Sequence, residues 1–391
     1  CYQSYDSERN DFATNETVFL DLGEAVLNNA WNGYNCALFA YGQTGSGKTF
    51  SMLGTPDDPG IIPKACEEIF ERMAATAANP DVQVLYEVSI SFLEIYREKV
   101  RDLMNPVEVQ GGLKLREHPV LGVYVEGLSK AIVSTYDEIS KAIDKGGRSR
   151  VTASTNMNAT SSRSHAVFTI VFSQVMKDPG TGRTTTRVSR INLVDLAGSE
   201  RADATGATGE RLKEGAAINK SLLCLGNVIS SLSDGKGNKH IPYRDSVLTN
   251  LLRESLGGNA KTLMIAAVSP ADVNYEETLS TLRYADRAKK IVNKAVVNEN
   301  PQEKLIRELK SEIERLKGII CEKDKLLTEC VPPIPAISKK ELRRSCRLSK
   351  RQLDLTFQQQ TGVMGTVASP MSVDMNTSMS MRPKMTMILT E

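Results

Sequence analysis

The sequence predicts a three-layer α/β domain of the phosphate-loop nucleotide hydrolase type, with a central, mostly parallel or mixed sheet between helices. Strand-like and helix-like segments alternate along residues 17–291, which is typical of an α/β fold. A glycine-rich segment at residues 42–49 follows an apolar strand and precedes a helix-like segment, as a phosphate-binding loop does. Two polar segments, at residues 156–165 and 191–200, lie downstream where phosphate-sensing loops are expected.

Individual elements are predicted from apolar runs for strands and from apolar residues three and four positions apart for helices. The strand-like segments are residues 36–41, 84–93, 166–174, 188–195 and 262–269. The helix-like segments are residues 17–31, 63–75, 136–145, 214–232, 246–256 and 275–291. This alternation places the glycine-rich segment at the end of the first strand.

The glycine-rich segment matches Gly-x-x-x-x-Gly-Lys-Thr. Glycines let the backbone fold around phosphate oxygens, while consecutive N–H groups, a helix N-terminus and the lysine supply positive charge. The predicted nucleotide-binding residues are Gly42, Gln43, Thr44, Gly45, Ser46, Gly47, Lys48 and Thr49. The hydroxyl of Thr49 is also expected to hold Mg²⁺. The alternative is a glycine-rich turn that binds nothing, which the flanking strand and helix disfavour.

The two downstream segments are weaker signals when each is taken alone. Residues 156–165 are rich in hydroxyl and amide side chains, which suit water and metal, but such a run is also typical of a polar surface loop. Residues 191–200 form an apolar strand that ends at Asp195 and is followed by Gly198. Phosphate-loop enzymes place a Mg²⁺-associated carboxylate and a mobile glycine there, although Asp-x-x-Gly is also common in ordinary turns. The order of the three motifs therefore supports the prediction.

Composition excludes several classes of function. With 391 residues, 40% of them hydrophobic, the chain can bury a large core, and one domain of about 300 residues with appendages is expected. A net charge of +2 argues against bulk nucleic-acid binding. No apolar run approaches the ~18 residues that span a bilayer. The seven cysteines form no Cys-x-x-Cys pair, which fits reduced thiols. We therefore expect a soluble, intracellular protein without a nucleic-acid partner or a membrane span.

Together, the three motifs and the segment His-Ile-Pro-Tyr-Arg-Asp-Ser-Val-Leu-Thr at residues 240–249 resemble the kinesin motor domain. The resemblance covers residues 1 to about 320 and is greatest to the kinesin-3 transport motors, through residues 116–119 and 298–301. A lysine-rich insert usually precedes His240 in that subfamily, whereas residues 233–239 contain only two lysines. The first residues resemble a point well inside the family's domain, so two N-terminal strands of the family fold are expected to be absent.

The resemblance implies a microtubule-stimulated ATPase that uses ATP and Mg²⁺ to move along microtubules, with plus-end-directed cargo transport. It implies that Thr49 and Ser162 coordinate Mg²⁺ and that Asp195 does so through water. The implied catalytic residues are Asn158, Ser161, Ser162, Arg163, Gly198 and Glu200. Among these, Ser161 and the Gly198 amide would position the attacking water, Arg163 would pair with Glu200, Glu200 would accept the proton through waters, and Asn158 would contact the leaving phosphate.

The family also implies a set of microtubule-binding residues. They are Lys220, Lys239, His240, Tyr243, Arg244 and Arg253. Charged residues in such positions are as often simply solvated. The implied location is the cytoplasm, on microtubules.

Four regions are expected: a motor domain at 1–291, a neck linker at 292–300, a neck helix or short coiled coil at 301–330, and a disordered basic and Ser/Thr/Met-rich tail at 331–391. The apolar seam of the neck is Ile306, Leu309, Ile313, Leu316 and Ile320. So short a seam predicts either a weak homodimer or a single amphipathic helix folded on the motor. The sequence identifies no cargo.

The sequence leaves one alternative function open and disfavours another. Because a sheet that lacks interior strands would be costly, the chain could instead be a microtubule-binding or regulatory fragment that does not hydrolyse ATP. A GTPase or nucleic-acid translocase is disfavoured, because the sequence has no Asn-Lys-x-Asp guanine signature and no basic stripe with interleaved aromatics.

Overall fold

The structure is a computed structural model, and it describes ten ranges of the chain. These are residues 2–78, 84–107, 109–118, 122–155, 161–177, 184–200, 210–234, 240–299, 309 and 312–323. The chain divides into two compact units, Cys1–Lys310 and Ser311–Glu391. In the second unit, residues 312–323 are helical, and Ile313, Leu316 and Ile320 are exposed. No helix within these ranges is long and apolar enough to cross a membrane.

The first unit alternates strands and helices, as the sequence predicts. The strands are β1 Cys36–Tyr41, β2 Val84–Tyr96, β3 Lys99–Asp102, β4 Leu115–His118, β5 Gly122–Val125, β6 Ala131–Val133, β7 His165–Lys177, β8 Thr184–Asp195 and β9 Lys261–Ala266. The helices are α1 Asn15–Val18, α2 Glu24–Trp31, α3 Lys48–Met52, α4 Ile61–Ala77, α5 Tyr136–Thr155, α6 Glu210–Ser233, α7 Val247–Leu251 and α8 Tyr275–Lys289. A π-helical turn, Phe19–Gly23, joins α1 to α2.

The main sheet has the order β3-β2-β7-β8-β1-β9, with β6 also paired to β2, while β4 and β5 form a separate hairpin. The expected mixed sheet is confirmed, but its described pairs are mainly antiparallel rather than parallel. Only β1 runs parallel to its neighbours, β8 and β9. The two-residue turn between β2 and β3 can join only antiparallel strands, since a parallel pair needs a long crossover.

Helices cover both faces of the sheet, which confirms the three-layer architecture. Successive side chains of β1 point to opposite faces, so Leu38 joins the core under α2, α4 and α5, whereas Phe39 joins the core under α6, α7 and α8. Every residue of β1 is buried, because the strand lies inside the sheet with both faces covered. The end of β1, from which the next loop begins, is therefore held in a fixed position.

Two predictions about the elements were wrong in detail. The short strands β3 to β6 were not predicted, and the helix expected at residues 246–256 is only α7 followed by a 3₁₀ turn, Arg253–Ser255. The Leu252 backbone leaves the helical region, with φ −87° and ψ 9°, and the Leu256 N–H is shared between the Leu252 and Arg253 carbonyls at 3.1 and 3.2 Å. Shared hydrogen bonds of this kind are common where a helix ends.

The core should respond to loss of Phe168, which is fully buried and packs edge-on against Phe92 with ring centroids 5.4 Å apart. Removing this ring leaves a cavity, so Phe168→Ala should lower the free energy of unfolding by about 3–5 kcal/mol. Denaturant unfolding checks this. The control Ile132→Ala, at a residue that is 70% exposed, should change the stability by no more than about 0.5 kcal/mol. Equal effects in the two variants would contradict the assigned core.

Candidate active site

The glycine-rich loop leaves the buried end of β1 and leads directly into α3. Gly42, Gly45 and Gly47 have φ values of +154°, +81° and +94°, which only glycine adopts readily. A Cβ on Gly42 would lie 2.0 Å from the carbonyl oxygen of Ala267. The loop backbone is therefore shaped in a way that other residues could not reproduce.

Lys48 is buried inside this loop. It is 5% exposed, and its Nζ donates a hydrogen bond to the Gln43 carbonyl at 2.7 Å. Burial lowers the pKa of Lys48, while the charges of Asp195 and Glu200 act in the opposite direction. A lysine held this way has little water around it and gains from a negatively charged ligand in the loop. The predicted phosphate-binding function of Lys48 fits this environment.

Asp195 ends β8 beside the loop, because β8 pairs with β1 and places Asp195 opposite Ala40. Its Oδ2 accepts a hydrogen bond from the Thr49 hydroxyl at 2.7 Å and forms an ion pair with the Arg150 guanidinium at 2.8 Å. Its Oδ1 is buried and has no hydrogen-bond partner among the described residues. This unsatisfied oxygen and the Thr49 hydroxyl fit Mg²⁺, which prefers oxygen ligands and is held by few carboxylates together with substrate phosphates.

Arg150 is a site residue that the sequence did not reveal. It lies on α5, its side chain is 4% exposed, and besides Asp195 it donates to the Ser164 carbonyl at 3.1 Å. The guanidinium thus ties α5 both to β8 and to the residues that precede β7. No motif marks Arg150, since its carboxylate partner lies 45 positions away in the sequence.

The segment after Asp195 contacts both other motifs. The Gly198 amide donates to the Ser162 carbonyl at 2.8 Å, and the Ser199 amide donates to the Gly42 carbonyl at 3.1 Å. The Glu200 carboxylate accepts hydrogen bonds from the Thr44 amide at 2.8 Å and the Thr44 hydroxyl at 2.5 Å. The first motif, which lies more than a hundred residues before the other two in the sequence, is therefore joined with them in one site.

Several predicted site residues cannot be placed in full. Asn158 and Lys239 lie outside the described residues. Ser161 begins a 3₁₀ turn that ends at Arg163. The predicted pairing of Arg163 with Glu200 stays a prediction, since the contact that this conformation gives Glu200 is with Thr44.

His165 connects the site to helix α6. Its Nδ1 accepts the Ala197 amide at 3.0 Å, so Nε2 carries the proton and donates to the Ser221 hydroxyl at 2.7 Å. Burial first, and then the charges of Arg150 and Lys48, lower the pKa of His165 to about 3. A neutral imidazole in one tautomer thus links the backbone after Asp195 to α6. Sequence reasoning missed this link because the partners come from three elements.

This histidine should give the protein a specific sensitivity to acid. The unfolded imidazole takes a proton near pH 6.5, whereas folded His165 does so only near pH 3, so stability falls as the pH drops between these values. From pH 7 to pH 5 the loss from this residue should be about 2 kcal/mol. Denaturant unfolding at both pH values should show a smaller loss in His165→Asn, and His118→Asn, at an exposed residue of β4, is the matched control. Identical pH dependence in His165→Asn and the parent would contradict the buried neutral state.

Three of the predicted microtubule-binding residues form one surface cluster. Arg244 and Arg253 both pair with Glu117 of β4, at 2.8 and 2.7 Å, and the Arg253 guanidinium lies 5.7 Å from the centre of the Tyr243 ring. Lys220 on α6 and His240 are exposed. Both arginines therefore pair with the β4–β5 hairpin at the surface, where the Arg244 side chain is 75% exposed.

The segment after α8 packs along the first unit through asparagine side chains. The Asn293 amide donates to the Ala260 carbonyl at 2.7 Å, and its oxygen accepts the Gly257 amide at 2.8 Å. Asn298 donates from its side chain to Asn35 at 2.7 Å. Residues 291–299 thus have an extended path fixed by specific hydrogen bonds.

Comparison with known proteins agrees with this geometry. The family model described as the kinesin motor domain matches residues 2–291. The chain belongs to the kinesin motor domain family. Kinesin-related protein 1 of Dictyostelium discoideum is 60% identical to it over 82% of this chain and 15% of that protein. Human kinesin-like protein KIF1C is 55% identical over 82% of this chain and 29% of that protein. The predicted resemblance to kinesin-3 is confirmed, since these curated relatives are KIF1-type kinesins.

Solved kinesin structures have the same fold. A KIF14 dimer in a two-heads-bound state, with AMP-PNP and in complex with a microtubule, is 51% identical and has a TM-score of 0.71, over 79% of this chain and 86% of that chain. A fast kinesin is 45% identical with a TM-score of 0.67, over 74% of this chain and 80% of that chain. The kinesin chain described here spans less than a third of the length of the curated relatives named above.

Proposed function

We propose that this kinesin chain is a microtubule-stimulated ATPase motor that couples ATP hydrolysis to movement, with plus-end-directed cargo transport. The observation that carries the proposal is a hydrogen bond between Thr49 and Asp195 next to the buried Lys48. Beside it lies a backbone hydrogen bond from Gly198 to Ser162. A phosphate group bound at the loop would touch both downstream segments, which is what a nucleotide switch requires.

The chemistry needs positioning and charge neutralisation more than covalent steps. Lys48 and the loop amides would hold the terminal phosphates of ATP. Thr49 and Ser162 would hold Mg²⁺, with Asp195 behind its water shell, and the metal would neutralise charge on the phosphates. Ser161 and the Gly198 amide would orient the attacking water. The remaining roles follow the family pattern. Arg163 would pair with Glu200, Glu200 would accept the proton through waters, and Asn158 would contact the leaving phosphate.

Glu200 must leave Thr44 to act on that water. Its carboxylate currently accepts two hydrogen bonds from Thr44 in the loop, so the described conformation holds it away from the reaction. Closure of the downstream segments around the phosphate would exchange this contact for the pairing with Arg163. The two contacts define two states between which nucleotide could shift the population.

The switch has a direct path to the rest of the motor. Gly198 responds to phosphate, the neighbouring Ala197 amide binds His165, and His165 binds Ser221 of α6. Movement of α6 would shift the surface around Lys220 and, through α8, the linker segment whose Asn298 binds Asn35. We propose microtubules as the partner of this surface, cytoplasmic microtubules as the location, and a weak homodimer through residues 301–330.

ATP turnover of the 391-residue chain, with and without microtubules, tests the proposed function. We expect turnover that rises strongly on addition of microtubules and that is absent from Lys48→Ala, which loses the phosphate-binding cation. Gliding of polarity-marked microtubules would then test the direction. Microtubule binding without ATP turnover in the parent chain would overturn the motor proposal in favour of a non-hydrolysing fragment.

The assignment of Glu200 as proton acceptor has its own test. Glu200→Ala should bind ATP and microtubules but hydrolyse ATP about 10²–10⁴-fold more slowly, which is the usual effect of losing general-base catalysis. Single-turnover kinetics separates this chemical step from product release. Glu71→Ala, at an exposed glutamate of α4, should turn over ATP at the parental rate. A parental rate in Glu200→Ala would remove this residue from the proton relay.

A further inference from the structure

A polar patch interrupts the apolar face of the sheet on the side that packs against α6, α7 and α8. The row of paired residues nearest the active site is apolar, and consists of Leu93, Val167 and Val194. Two residues further from the site, the strands bring together a polar row: Ser91, Thr169 and Asn192. In the next row, Ser89 and Arg190 flank Val171. Polar side chains on a face otherwise covered by a core need partners or a ligand.

A cavity lies over this patch. It has a volume of about 90 Å³, several times the ~10–15 Å³ that one water needs. Apolar walls are provided by the β4–β5 hairpin and by α7, and consist of Val123, Val125, Leu251 and Leu252. None of the described residues that line the cavity is an Asp or a Glu. The floor is therefore polar and the walls apolar, as in sites that orient a small polar group.

Arg190 supplies positive charge to this floor. Its side chain is half-buried, and among the described residues its guanidinium forms no hydrogen bond or ion pair. Burial lowers the pKa of Arg190, while the charge of Glu254 acts in the opposite direction from beyond ion-pair distance. Arginine stays protonated in proteins, so a partly desolvated guanidinium without a close counter-charge favours binding of an anion.

Neutral hydrogen-bond donors surround this charge. Asn192 accepts the Thr169 hydroxyl through Oδ1 at 3.0 Å, which leaves its amide nitrogen to donate. The hydroxyls of Ser89 and Ser91 line the same cavity, and Lys130 lies on it as a second cation. The polar part of the lining therefore consists of hydroxyls, an amide and two cations.

We propose that this Arg190 pocket, formed by Ser89, Ser91, Asn192, Lys130 and Arg190, binds a single oxyanionic group, a phosphate or a carboxylate. The site is distinct from the phosphate loop, because Arg190 precedes Asp195 by five residues of strand, which is about 16 Å. Arg190 also contacts the linker region indirectly: its backbone N–H donates to Asn35 Oδ1, which accepts Asn298 as well. An anion in the pocket would thus be held by the strand that supports both the nucleotide site and the linker.

Equilibrium dialysis with labelled inorganic phosphate tests this pocket. Lys48→Ala serves as the parent, so that the phosphate loop contributes as little as possible, and ionic strength is held constant with KCl. We expect one phosphate per chain with a Kd on the order of 1 mM or tighter, weakened at least about tenfold by adding Arg190→Gln. The matched control is Arg101→Gln, at an exposed arginine of β3 outside the pocket, which should bind phosphate as the parent does.

A second variant separates binding from folding. Asn192→Leu, added to the same parent, keeps Arg190 and the shape of the side chain but removes the amide donor, and it should also weaken phosphate binding at least about tenfold while thermal unfolding shows a folded chain. Competition by acetate would assign the pocket to carboxylates as well as phosphate, whereas no competition would assign it to phosphate. Saturable binding that survives both pocket variants, or no saturable binding to the Lys48→Ala parent, would overturn the proposal.

Discussion

The carboxylate of Asp195 is shared by two donors, the Thr49 hydroxyl and the Arg150 guanidinium, in a site where both ion-pair partners are at most 4% exposed. A buried ion pair pays a large desolvation cost, and loss of one partner leaves an uncompensated charge. The loop, helix α5 and the end of β8 therefore depend on one another. Because Oδ2 is shared by these two donors while Oδ1 has no partner among the described residues, a cation beside Oδ1 would compete with Arg150 for the charge of the same carboxylate.

Around this centre, three short hydrogen bonds are donated by main-chain N–H groups. Gly198 binds Ser162, Ser199 binds Gly42, and Ala197 binds His165. A buried neutral histidine suits such a link, since it joins two elements without bringing a charge that must be solvated. The other ring nitrogen of His165 bonds Ser221, which lies on α6. In the proposed motor, a small shift at the phosphate would therefore be transmitted by packed groups with few alternative positions.

Prediction of the elements succeeded where the physical signal is local and strong. The bounds of β1 agreed with the structure at both ends, because a strand buried on both faces is a continuous apolar run. Strands β3 to β6 were not predicted because each has only three or four residues and an exposed side. Helix α7 was predicted too long because the apolar spacing of residues 246–256 does not reveal the non-helical backbone of Leu252, which ends the regular helix.

The same division holds for the site. The sequence by itself determined the phosphate loop, since its glycine conformations and its lysine act within eight neighbouring residues, and it determined the order of the two downstream motifs. Only the tertiary structure decided that Arg150 neutralises Asp195, that Glu200 binds Thr44 and that His165 binds Ser221, pairs separated by 45, 156 and 56 residues. The arrangement of Arg190 beside Asn192 and Ser91 likewise depends on strand register. A site built from neighbouring residues can be inferred from the sequence, because its groups lie together in any fold. An ion-pair or hydrogen-bond partner from a distant part of the chain depends on how the strands and helices pack.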